Sequence, residues 1–119
     1  MTFIKVYSTG PLENQALNRS TTVFTKVLNN SSNKSTKVKV LVFKLNGNKK
    51  LISSRHFTVP PKSSSFVVTD LKSNVEQFEV KIIVLGNALL GVFGKTARGN
   101  LNPSHRLVHS ELTLFSKFK

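Results

Sequence analysis

Cysteine and tryptophan are both absent from this chain of 119 residues. Without cysteine, disulfides, thiolate metal ligands and cysteine nucleophiles are excluded. The chain also lacks an apolar run of the roughly 18 residues that a membrane span needs, since Gly86 and Asn87 interrupt its longest one. Its N-terminus lacks the apolar stretch of a secretory signal. We therefore expect a single domain over residues 1–119, without a membrane span or a conventional export signal.

Acidic residues are scarce, which narrows the catalytic chemistry open to the chain. Five Asp and Glu stand against 18 Lys and Arg, for a net charge of +13. The one aspartate, Asp70, ends a predicted strand, whereas a Ser-His-Asp arrangement needs a buried acid. Glu76 and Glu79 are three residues apart and would face opposite sides of a strand. Because P-loop, nucleophile-elbow and dinucleotide-binding patterns are also missing, we expect no enzymatic activity and no cofactor.

His105, His109 and Glu111 form the one cluster that resembles a set of metal ligands. His109 and Glu111 would share a face of the predicted strand, whereas His105 precedes that strand, behind Pro103. The three could hold zinc only if the loop folded back. We interpret the histidines as surface or turn residues, with a zinc-dependent hydrolase as the alternative.

Alternation of apolar and polar residues with a period of two runs through most of the chain and predicts strands. Asn46-Gly47 favours a two-residue type I′ hairpin, and Gly86-Asn87 favours a second tight hairpin. Pro60 and Pro61 should end one strand and send the chain elsewhere. About eight strands are predicted, at residues 3–7, 20–28, 36–45, 50–58, 65–70, 76–85, 88–95 and 107–115. The predicted fold is all-β, an antiparallel sandwich of seven or eight strands with immunoglobulin-like or jelly-roll topology.

Nine phenylalanines and one tyrosine make up the aromatic residues of the chain. The aromatic residues expected at the surface beside cations are Tyr7, Phe115 and Phe118. Since the positive charges are spread evenly along the chain, a solvated basic surface is favoured over a dedicated nucleic-acid site. Weak polyanion binding at low salt is expected from the charge alone. The phenylalanines that stand in alternating strands, and are therefore assigned to the core, are Phe24, Phe43, Phe57, Phe66, Phe78 and Phe93.

Each end of the chain carries a short strand that could pair with a second molecule. Residues 1–11 are predicted to form a connector strand and a hinge. An end strand on a hinge can pair within its own sheet or with a neighbour's exposed edge. We therefore predict a homo-oligomer or fibre formed through terminal or edge strands. The residues predicted to take part are Phe3, Ile4, Val6, Tyr7, Gly10, Pro11, Leu112, Leu114 and Phe115.

Several segments, residues 6–12, 59–64, 92–95 and 99–112, resemble short all-β proteins of Bacillus-type spore-forming bacteria. The resemblance extends over nearly the whole chain and implies a non-catalytic structural or interaction subunit at the spore or cell surface. Without such a role, the protein would be cytoplasmic. Spore-surface fibres of these bacteria are built from small β-sandwich subunits joined by terminal strands. The better-known appendage subunits crosslink through cysteines, which this chain lacks. The alternative function is a basic module that binds a polyanion such as nucleic acid or teichoic acid.

Overall fold

The computed structural model describes residues 4–14, 19–71 and 75–118, which form two antiparallel sheets packed face to face. The predicted class, an all-β antiparallel sandwich, is confirmed, with ten strands in these residues rather than seven or eight. The strands are β1 (Ile4–Ser8), β2 (Leu12–Glu13), β3 (Thr22–Asn29), β4 (Thr36–Lys44), β5 (Lys50–Val59), β6 (Ser63–Asp70), β7 (Gln77–Leu85), β8 (Leu89–Lys95), β9 (Leu101–Val108) and β10 (Thr113–Phe118).

The two sheets differ in size. The six-stranded sheet has the order β10-β1-β7-β4-β5, with β2 paired to β7, and the four-stranded sheet has the order β6-β3-β8-β9. A single 3-10 turn, His109–Glu111, connects β9 to β10 within the part of the chain described here. No helix in the described ranges has the length and apolar character that a membrane crossing requires.

Branched aliphatic side chains from both sheets fill the core between them. In β4, Val38, Val40 and Val42 all face inward and are buried, while the alternate lysines point outward. β7 lies at the centre of the six-stranded sheet, where Phe78 and Ile82 are fully buried. Each such side chain contributes about 1.5–3 kcal/mol when removed from water. The period-two pattern therefore separates the two faces of these strands, although Phe43, which it assigned to the core, lies on the outer face beside Lys49.

The Asn46-Gly47 hairpin is confirmed between β4 and β5, but its predicted two-residue type I′ turn is wrong, and the predicted Gly86-Asn87 hairpin is wrong altogether. A type I′ turn requires positive φ at both central residues, and only Gly47 (φ 85°) meets this, since Asn46 does not. Asn46 instead accepts hydrogen bonds from the backbone N–H groups of Glu76 and Gln77 (2.9 and 3.1 Å) through its side-chain oxygen, so the loop between β4 and β5 is longer. Gly86 joins β7 to β8, which lie in different sheets, and is therefore a crossing rather than a hairpin.

The Pro60-Pro61 prediction is confirmed, because β5 ends at Val59 and β6 begins in the other sheet.

The predicted strand 107–115 is wrong as a single element. It is two strands in two sheets, β9 and β10, separated by the 3-10 turn. Pro103, which the prediction placed before this strand, lies inside β9. Proline is tolerated there because β9 is an edge strand and one side of it needs no ladder donor.

Candidate interaction face

The terminal residues predicted to drive assembly lie around β1 and β10. Ile4, Val6 and Tyr7 belong to β1, which pairs with β10 on one side and β7 on the other. Tyr7 is opposite Leu114 in the ladder. Exchange of β1 with another molecule would therefore first break two ladders. The other predicted members are placed as follows: Gly10 (φ 68°) and Pro11 link β1 to β2, Leu112 is buried before β10, Phe3 lies outside the described residues, and of Phe115 only the backbone is described.

The outward surface of the four-stranded sheet carries three phenylalanine rings among three cations. Cross-strand partners share a face, and β3 buries Val23, Thr25 and Val27, so its alternate residues point away from the core. We call this surface the basic–aromatic face and define it by the rings of Phe24, Phe66 and Phe93 and the cations Lys26, Lys95 and Arg106. Exposed aliphatic side chains surround it, namely Leu28, Val68, Leu89, Leu101 and Val108. Asp70, at the end of β6, is exposed at its border.

The three rings lie on three adjacent strands, β6, β3 and β8. Phe66 is the most accessible, with 56% of its surface exposed. Its ring stacks on that of Phe24, with centroids 5.9 Å apart and planes 29° apart. Phe24 in turn pairs across the ladder with Phe93. Since neighbouring strands are about 4.8 Å apart, these three residues form a row across one surface of the sheet.

Gly91, two residues before Phe93 on β8, leaves space for the Phe93 ring. A Cβ atom at this position would lie 2.8 Å from Cε2 of Phe93, a separation that real side chains do not adopt. The ring of Phe93 therefore leans along β8 over the bare backbone of Gly91. This glycine is needed for close approach of a ring, as its φ is not in the positive region.

Two of the cations, Lys26 and Lys95, contact the aromatic rings. The Nζ of Lys95 lies 4.3 Å from the ring centroid of Phe24, and that of Lys26 lies 5.7 Å from Phe93. Both distances are within the range of cation–π attraction. Arg106, on β9, is the cross-strand partner of Phe93 and extends the charge to the sheet edge. Positive charges and aromatic rings are therefore adjacent on one surface of the four-stranded sheet.

Assignment of the alternating phenylalanines to the core is correct for Phe78 and wrong for Phe66. Phe24 and Phe93 are half-buried and face outward. The signal that would have placed these two is a lysine two residues later, Lys26 and Lys95 respectively. A period of two puts that lysine on the same side as the ring, and lysine is almost never buried without a partner.

The outer surface of the six-stranded sheet holds an ion pair instead. Glu79 binds Lys49 at 2.9 Å and accepts a hydrogen bond from the Ser8 hydroxyl. Burial alone would raise the pKa of Glu79, but the hydrogen bonds from Ser8 and Lys49, together with the charges of Lys49 and Lys81, outweigh it and lower the pKa. Lys49 also lies 4.4 Å from the ring of Phe43. Here a carboxylate offsets part of the positive charge.

His105, expected at the surface or in a turn, is 3% exposed and lies within β9, so that prediction is wrong. Its Nε2 lies 2.6 Å from the Glu13 carbonyl, which can only accept, so Nε2 carries the proton. Its Nδ1 lies 2.6 Å from the Ser20 hydroxyl, whose oxygen accepts from the Asn102 amide at 2.9 Å. This leaves the Ser20 hydroxyl to donate to Nδ1. The cluster ties β9 to the segment before β3.

This Ser–His pair is structural, because a nucleophile must reach its substrate and Ser20 is 0% exposed. His109, by contrast, accepts a hydrogen bond from the Leu90 backbone, and Glu111 accepts one from the Val108 backbone. The three residues of the alternative zinc site, His105, His109 and Glu111, thus have separate partners. Across the described ranges, no group of three His, Cys, Asp or Glu side chains is placed to hold a metal ion.

Comparison with known proteins supports the fold alone. No protein-family profile and no curated protein matches this chain. Among solved structures, the crystal structure of Thermotoga maritima 1070 is similar, with a TM-score of 0.54 over 92% of this chain and 90% of that chain. The sequence identity is 7%. At that identity, the similarity shows a shared sandwich architecture and does not extend to a function.

Proposed function

We propose that this chain is a non-catalytic interaction module that binds a polyanion through the basic–aromatic face. The observation that supports this is the placement of Lys26, Lys95 and Arg106 on the same sheet surface as three outward-facing phenylalanine rings, one of which is exposed, in a chain of net charge +13. A field of this strength attracts polyanions and repels further copies of the chain. The cations on the face lie beside apolar side chains. An anion bound there would be partly removed from water, so salt would weaken its attraction to the cations less than at a fully exposed site.

A pair of matched triple variants tests whether this face binds or the whole surface does. The first replaces Lys26, Lys95 and Arg106 with glutamine. The second replaces three exposed lysines of the six-stranded sheet, Lys37, Lys39 and Lys50, so that both have the same net charge. Binding of single-stranded DNA and of inorganic polyphosphate is measured as a function of salt.

The first triple variant should lose most of the affinity for both ligands. Each phosphate contact contributes about 0.7 to the salt dependence for single strands, so the slope of log affinity against log salt should fall by about 2. The second variant should stay close to the unmodified protein. Equal losses in both variants would mean that binding follows net charge alone, and would refute a site on this face.

A second function, assembly through sheet edges, is favoured by the free edges of the six-stranded sheet. β10 and β5 lie at opposite ends of that sheet, and among the described residues each is paired on one side only. Each of these edge strands carries an exposed leucine, Leu114 on β10 and Leu51 on β5. Pairing β10 of one copy with β5 of the next is heterologous and would give an open filament wherever the rotation between copies does not close a ring. The resemblance to Bacillus-type proteins supports a spore or cell surface as the place of such an assembly.

Single substitutions at exposed leucines test the assembly. Leu114→Lys and Leu51→Lys should each shorten or abolish filaments in electron micrographs of concentrated protein, because a charge on an edge strand opposes pairing. Leu101→Lys, a control on β9, should leave them unchanged. Monodisperse particles of the unmodified chain at every concentration would refute the proposal.

A further inference from the structure

The basic–aromatic face combines cations with aromatic rings, and a ligand that carries only charge would contact the cations alone. A polyphosphate or a teichoic acid would satisfy the three cations but leave the rings of Phe66, Phe24 and Phe93 in water. Contiguous apolar surface on a protein generally marks an interaction site. The ligand that covers this face completely must therefore carry both negative charges and flat apolar groups.

Charge argues against a second copy of this chain as the occupant. Two such faces in contact would bring Lys26, Lys95 and Arg106 of one copy against the same cations of the other. Like charges brought together across an interface cost several kcal/mol, and each chain carries +13 in total. The occupant is therefore of opposite charge.

Duplex nucleic acid has the charge but not the accessible rings, because its bases are stacked on one another inside the helix. Single strands expose their bases, and proteins bind them by stacking the bases on aromatic side chains beside a positively charged surface. A four-stranded sheet with aromatic residues on adjacent strands can stack two or three bases in this way. The row from Phe66 through Phe24 to Phe93 has this arrangement.

We propose that the polyanion bound by the basic–aromatic face is a single-stranded nucleic acid, with Phe66 as its principal stacking residue. This inference rests on the proposed polyanion-binding function. Phe66 is the most exposed ring and lies next to Lys26 in the ladder, so a base on the ring would place its phosphate near that ammonium group. Phe24 and Phe93 extend the stack, with Arg106 at its far end.

The test measures binding of a labelled oligothymidine of about 12 nucleotides, a length within the range that one such site covers, at near-physiological salt. Phe66→Ala should weaken binding about 5- to 150-fold, the loss expected for one base–aromatic stack. Phe66→Leu should weaken it as well, because leucine keeps apolar area but has no aromatic face. Phe43→Ala, a ring beside lysines on the other sheet, should change affinity by no more than about twofold.

Further ligands separate the failure of this inference from that of the proposed function. Duplex DNA should bind more weakly than oligothymidine, and Phe66→Ala should leave its affinity unchanged. If Phe66→Ala leaves oligothymidine binding intact while Lys26→Gln weakens it more than Lys39→Gln, the face binds polyanions but the single-strand assignment is wrong. If the two lysine variants behave alike with every polyanion, both proposals fall. Binding of vesicles with anionic lipid that depends on Phe66, without binding of oligothymidine, would overturn the assignment in favour of a membrane surface.

Discussion

Replacing His105 with alanine should destabilise the protein far more than loss of a surface histidine would. The ring is almost fully buried, donates to the Glu13 carbonyl and accepts from the Ser20 hydroxyl. It also meets the ring of Phe78 edge-on, with centroids 5.0 Å apart and planes 72° apart. Alanine would remove both hydrogen bonds and this ring contact together. The affected groups lie where the two sheets and the β2 segment meet.

The size of the effect follows from those contacts. A buried polar group that loses its partner costs about 1–3 kcal/mol, and two groups are affected. The edge-on pair with Phe78 adds about 0.5–1.5 kcal/mol. We therefore expect the free energy of unfolding to fall by about 3–7 kcal/mol, a large share of the roughly 5–15 kcal/mol that holds a domain of this kind folded.

Urea unfolding followed by circular dichroism measures this loss. His56→Ala is the matched control, because His56 is exposed on β5 and its loss should change the free energy by about 0.5 kcal/mol or less. Ser20→Ala is a milder second variant, and the double-mutant cycle with His105 should give a coupling energy of about 0.5–3 kcal/mol. A loss below about 1 kcal/mol for His105→Ala, or no coupling to Ser20, would contradict the buried cluster.

Two further predictions concern stability. Phe78→Ala should lower the free energy of unfolding by about 3–5 kcal/mol because the ring is fully buried. Phe66→Ala should lower it by about 1 kcal/mol or less. Urea unfolding compares the two variants, and equal losses would mean that Phe66 is a core residue. Because the pKa of Glu79 is lowered in the fold, its carboxylate stabilises the protein above the unfolded pKa of about 4.3 and this contribution is lost as pH falls through the folded value. Glu79→Gln should therefore flatten the dependence of stability on pH in that acidic range, and an unchanged profile would contradict the ion pair with Lys49.

Strand positions were predictable because the signals for them are local. The range 36–45 matches Thr36–Lys44 closely, and 76–85 matches Gln77–Leu85. Alternation and turn residues act over a few positions and are visible in any window of the sequence. The partner of each strand is not local. Nothing near Gly86-Asn87 reveals that β8 leaves the sheet that contains β7, because that outcome depends on β3, which lies about 60 residues earlier.

The buried cluster at His105 was missed for the same reason. Its hydroxyl partner, Ser20, is 85 positions away in the chain, and its carbonyl partner belongs to Glu13, 92 positions away. A histidine after a proline in a polar stretch is typical of a surface loop, and no local pattern indicates otherwise. Only the completed sandwich brings these three groups together.

Alternation defines two sides of a strand but does not say which side is inside. In β3 the smaller residues, Val23 and Val27, face the core, and the larger Phe24 faces outward. The core is filled by the valines of both sheets and by Phe78, so folding does not account for an aromatic row on the outer surface. That surface exposes apolar area, which favours association, while the net charge of +13 opposes association with further copies. A partner that supplies negative charge would resolve both effects at once, and the single-stranded nucleic acid that we propose would also cover Phe66 with its bases.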